Sequence, residues 1–194
     1  ENLMSAFNLW LEISHIPDEY FDDFMLKLPE IGKIYPDIST TIFKINPAKL
    51  LPLYIEKART NFHMFMAIAN QIFLPGDSLE NRVTEKIEFK GGDIETIYYQ
   101  NCGSLIALSL VYMISKRINR RMTGLSFLSS LILIIGIFKK DPSTAAEIYK
   151  FIEGIKQTML NSFTIFIERD FPALNALLAS HFKFCGEQFA DECF

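Results

Sequence analysis

Apolar positions recur along this chain at steps of three and four, the period of an α-helix that hides one face. Leu51, Tyr54, Ile55, Ala58, Phe62, Phe65, Met66, Ala69 and Ile72 form one such stripe. Ile148, Phe151, Ile152, Ile155, Met159, Phe163, Phe166 and Ile167 form a second, with Glu147, Lys150, Glu153, Lys156 and Gln157 opposite. Between the stripes two runs lose the polar face: GSLIALSLVYMI from Gly103 to Ile114, and GLSFLSSLILIIGIF from Gly124 to Phe138. Each run is shorter than the roughly 18 to 20 residues that span a bilayer, and each is too apolar all round for a surface helix. They predict two central helices joined by the basic hinge Lys116-Arg117-Ile118-Asn119-Arg120-Arg121, with Lys139 and Lys140 closing the far end.

Helix punctuation divides the rest. Asn46-Pro47 and Asp141-Pro142 each read as an N-cap with Pro at the first helical position. Pro17 opens a helix with Asp18 and Glu19 in its first turn, where acids complement the dipole. Asp93 and Thr123 stand as caps, and Pro75-Gly76 as a stop. The predicted helices are 2–14, 17–28, 30–44, 47–73, 78–87, 94–118, 123–139, 142–168 and 171–189. The one alternating run, Lys86 to Lys90, reads as a helix end or ordered loop in preference to a strand. The expected fold is all-α: a single-domain multi-helix globule of eight or nine helices over residues 1–194, around a buried central apolar helical hairpin.

Composition narrows the function classes. Apolar residues make up 49%, mean hydropathy is +0.17 and Phe occurs 18 times. That excess belongs either to an aromatic core or to a surface that meets an apolar ligand, a helix or a membrane. A net charge of −4 and a pI near 5.4, with cations scattered except at 116–121, argue against nucleic acid. Cys102, Cys185 and Cys193 form neither an even disulfide framework nor a zinc spacing, although Cys185 and Cys193 could close a loop in an oxidising compartment. Glu1 suggests that a leader or upstream segment precedes this sequence, so the compartment stays open.

Catalytic signals are absent from the pattern. His15, His63 and His181 accompany no nucleophile-elbow sequence, and only His181 stands one helical turn from a thiol, Cys185. Asp18, Glu19, Asp22 and Asp23 fan around one helix start, and Gly91-Gly92 lacks the pattern of a phosphate loop. The expectation is a non-enzymatic protein without metal or cofactor. It presents an apolar groove, with Phe62, Phe65 and Met66 as adaptable surface, to a partner protein's helix or to a second copy of itself. The alternative is a lipid or other hydrophobic ligand held between helices, or a membrane surface. Lys116, Arg117, Arg120 and Arg121 would then anchor an anionic headgroup, and Phe127 and Leu131 would line the chain.

Two short stretches resemble known families. Asn101-Cys102-Gly103-Ser104-Leu105-Ile106-Ala107-Leu108 resembles the N-W-G-R-[IL]-V-A-[FL] segment of Bcl-2-like proteins, which opens a buried central helix followed by a second. The resemblance implies the same hairpin here. Cys102 replaces the family's Trp, and Ser104 replaces the Arg that binds a partner's acidic residue, so the family's ligand does not follow. In the N-terminal part, Leu11 to Pro17, Asp37 to Ile45 and Asn46 to Lys49 resemble pieces of glycolipid-transfer proteins. Asp37 and Lys44 match the ends of that family's D-x3-N-x2-K headgroup motif, but Thr41 stands where Asn is expected. Each resemblance covers a minor part of the chain, and neither places it in a family.

Overall fold

Helix accounts for 86% of the residues that the structure, a computed structural model, describes, and no strand occurs among them. The described residues are 47–70, 72 and 93–181. The predicted helices 2–14, 17–28, 30–44 and 78–87, the run 86–90, Gly91-Gly92, the acidic cluster at 18–23, and Cys185 and Cys193 lie outside them. The chain divides into two compact units, Glu1–Ile68 and Ala69–Phe194.

In the first unit α1 (Pro47–Ala58) is followed by α2 (Phe62–Ala69), whose last residue falls at the unit boundary. The predicted continuous helix 47–73 is broken at 59–61. There the Lys57 carbonyl accepts from both Thr60 N (3.3 Å) and Asn61 N (3.0 Å), and the Asn61 side chain caps α2 by accepting from His63 N at 3.1 Å. The expected stripe holds in α1, where Leu51, Tyr54, Ile55 and Ala58 are buried, but the break shifts it in α2: Phe65 and Ala69 are buried with Met64, Ala67 and Ile68, while Phe62 and Met66 are half-buried.

The second unit holds α3 (Asp93–Gln100), α4 (Cys102–Met113), α5 (Ile118–Lys139) and α6 (Pro142–Met159). A single α-turn Phe163–Ile165 then leads through a π-helical segment Phe166–Asp170 into α7 (Phe171–His181). Three boundaries differ from expectation. Helix 94–118 is interrupted at Asn101, whose side chain donates to the Ile97 carbonyl at 2.8 Å, and it ends at Met113. Helix 142–168 stops at Met159, and Ser162 caps the next turn by accepting from Ile165 N at 3.3 Å. The third is the basic hinge: α5 begins at Ile118 with Arg117 as its N-cap residue, so Arg120, Arg121 and Thr123 are helical.

That third difference lengthens the second apolar run. At 22 residues α5 is long and apolar enough to cross a membrane by length and composition, and 67% of its most apolar window is buried inside the protein. Ten consecutive residues, Phe127 to Gly136, are buried, so no face of that stretch reaches solvent. Tyr98 of α3 meets Phe127 edge-on at 6.5 Å, and Tyr99 stacks on Phe138 at 4.7 Å. Small residues bring the helices close: Gly124 faces Ser109 and Met113 of α4, and Gly136 faces Ala145 of α6. Buried hydroxyls are satisfied within their own helices, Ser109 donating to Leu105 O at 2.8 Å and Ser129 to Leu125 O at 3.1 Å.

Lys140 ends α5 in the left-handed region (φ 57°), with its N–H on the Ile137 carbonyl. Asp141 then caps α6 through Thr144 N at 3.2 Å, and hydrogen bonding by Thr144 holds its carboxyl below the usual range. On α6 the buried set Ala145, Ile148, Ile152, Ile155 and Met159 keeps the helical period, while Phe151 is exposed. The π segment precedes Pro172, which cannot donate to the carbonyl four residues back and crowds it, so the ladder loosens there.

Candidate functional site

The connection between α4 and α5 is four residues long, Ile114 to Arg117, and is held by a side chain from the first turn of α5. Arg121 folds back so that Nη1 donates to the carbonyls of Ser115 (3.0 Å) and Lys116 (3.2 Å). The same guanidinium lies 4.8 Å from the centre of the Phe163 ring. Arg121 is only 7% exposed, and its Nε is buried without a hydrogen-bond partner. One cation thus joins the end of α4, the start of α5 and the turn after α6, forming a fixed corner of the second unit. Such a group is costly to bury unless its donors are used.

Solvent-facing charge surrounds it. Lys116 and Arg117 are exposed and Arg120 is half-buried. Among the described residues no carboxylate forms an ion pair with Lys116, Arg117 or Arg121. Burial pushes the Tyr112 hydroxyl up to about 12, against the lowering pull of Arg120. Apolar side chains border the same corner: Ile114 is 43% exposed, Leu160 61% and Ile165 49%. Ile114 directly precedes Ser115, and Leu160 and Ile165 flank Phe163 in sequence.

Of the four predicted cations the structure places Arg121 against Phe163, while Lys116 and Arg117 stand in the preceding connection and Arg120 in the first turn of α5. The structure places Phe127 and Leu131 fully inside the second unit's core. Phe65 is fully buried in the first unit, and Phe62 and Met66 are half-buried there, with Phe62 and Phe65 rings 6.2 Å apart. Ile114, Leu160 and Ile165 are additions that sequence reasoning did not single out. A readable signal existed for two of them: Asn161-Ser162 is cap chemistry inside a segment that was expected to be one helix.

A second polar cluster is structural in form. Glu153 accepts from Lys156 at 2.7 Å, and the Ser129 hydroxyl, whose proton is shared with the nearer Leu125 carbonyl, lies 3.4 Å from the same Glu153 oxygen, so α6 meets α5 there. Among the described residues no three His, Cys, Asp or Glu side chains are grouped to hold a metal ion. His63 and His181 are exposed. No protein-family model, curated protein or solved structure matches this chain.

Proposed function

We propose that this chain is a non-enzymatic helical binding module that offers an apolar surface to a helix of a partner protein or to a second copy of itself. The observation that carries the reading is Val111 and Ile114. They stand three residues apart at the end of α4, 40% and 43% exposed, on one of the most apolar helices. Anchors at that spacing are what a partner helix packs against. In the same reading eight or nine helices make up the whole chain and α4 and α5 form its central hairpin, supported by the unbroken burial of 127–136. Val111→Glu leaves the core untouched and tests the surface. Light scattering across a concentration series, with titration of amphipathic helical peptides, should show association in the parent and its loss in the variant. A parent that stays monomeric and binds no such peptide would remove this reading. The alternative, a lipid or other hydrophobic ligand, is favoured by a different observation: Lys116 and Arg117, exposed and without an ion pair among the described residues, follow the exposed Ile114.

A further inference from the structure

Resting on that alternative reading and narrowing it to one occupant, we propose that the Arg121 corner docks on the surface of an anionic lipid bilayer. Lys116 and Arg117 meet lipid phosphates, and Ile114, Leu160 and Ile165 enter the headgroup layer. The chain as a whole carries −4, so this patch is not an overflow of general basicity. It concentrates four cations in six residues, 116–121, on a chain whose field otherwise repels anionic surfaces. Asp170, close in sequence to the apolar turn, is held by Arg169 at 2.9 and 3.3 Å, and among the described residues no carboxylate forms an ion pair with Lys116 or Arg117. A soluble anion has no use for exposed leucine and isoleucine, and a purely apolar partner has no use for unpaired lysine and arginine. A bilayer with acidic headgroups takes both at once, apolar tips below and cations at the phosphate level. The tips come from separate places along the chain, Ile114 at the end of α4, Leu160 at the end of α6 and Ile165 in the turn capped by Ser162. Arg121 fixes the arrangement, since its bonds to Ser115 and Lys116 and its position over Phe163 hold the segments together.

Flotation of the full chain with phosphatidylcholine vesicles, with and without phosphatidylserine, tests this directly. Binding is expected only with the serine lipid, falling as salt rises. The double variant Lys116→Ala, Arg117→Ala, both at exposed positions, should weaken it about 25-fold, roughly fivefold per cation. Leu160→Ser with Ile165→Ser should weaken it too while keeping its salt dependence, and circular dichroism melts would verify the fold of each variant. Equal binding to both vesicle types, an unchanged Lys116→Ala, Arg117→Ala variant, or binding only of inorganic phosphate or an acidic helical peptide overturns the proposal. Failure here with self-association abolished by Val111→Glu would leave the partner-helix reading standing. Failure in both assays would remove both.

Discussion

Three glycines share one helical fold but differ in what a methyl group would meet. An Ala in place of Gly gains about 0.5–1 kcal/mol in a helix interior through backbone entropy. At Gly154, exposed on α6, an added Cβ meets nothing within 4 Å, so Gly154→Ala should realise that gain and raise Tm by about 2–3 °C. At Gly124 the Cβ would stand 2.9 Å from Ser109 O and 3.1 Å from Met113 N, both backbone, so α4 and α5 would have to part. At Gly136 it would overlap the Cβ of Ala145, which has no rotamer to turn away. Overpacking costs about 1–3 kcal/mol, so net losses of about 1–2 kcal/mol are expected at both sites. The sharper test moves the methyl across the α5–α6 contact. Ala145→Gly alone should cost about 1 kcal/mol. The pair Gly136→Ala, Ala145→Gly should be at least about 1 kcal/mol more stable than the sum of its singles. Urea denaturation with an unchanged slope supplies all four values. A strictly additive pair, or a Gly136→Ala as stable as Gly154→Ala, would refute the close approach of α5 and α6.

Leu131 is fully buried in α5, and Leu131→Asp should cost several kcal/mol through an unpaired charge; a near-parental melting temperature would show that this stretch of α5 is not core. Arg121→Lys keeps a cation but loses the planar guanidinium that lies over the Phe163 ring while its Nη1 donates to two carbonyls, so a loss of about 1–2 kcal/mol in chemical denaturation is expected. An equally stable Lys variant would mean that a cation of either shape suffices there. Burial pushes Tyr98 well above its ordinary 10.0 and raises Tyr54 and Tyr112 to about 12. All three folded values exceed the unfolded one, so their contribution is whole below pH 10 and, for Tyr54 and Tyr112, is lost as pH rises through about 12. In an alkaline titration these three should ionise only as helical circular dichroism is lost. Ionisation of all seven tyrosines with the helix intact would refute that.

Period was the legible part of this chain, and helix ends were the illegible part. Leu51, Tyr54, Ile55 and Ala58, and Ile148, Ile152, Ile155 and Met159, were assigned to buried faces and lie there. Those assignments need only one local phase. Ends depend on which side chain reaches which backbone group, and Asn61, Asn101 and Ser162 each end or start a helix inside a stripe that appears continuous. Phe65 reads as adaptable surface and Phe127 and Leu131 as the lining of a ligand's chain, yet apolar character does not say whether a side chain faces a ligand or the core, and all three are buried.

Arg121 shows how an end error becomes a site error. With the helix begun at 123, the four cations at 116–121 form one undivided hinge. With α5 begun at Ile118, Arg121, Leu125, Leu128 and Ile132 fall at steps of four, three and four, and all four are buried. Its inward direction was therefore written in the spacing, once the start was known. Lys116 and Arg117 precede the first helical residue, carry no such phase and remain exposed. One basic segment thus divides in two: a buried guanidinium holds three segments at the corner, and the two cations before it, Lys116 and Arg117, stay in water.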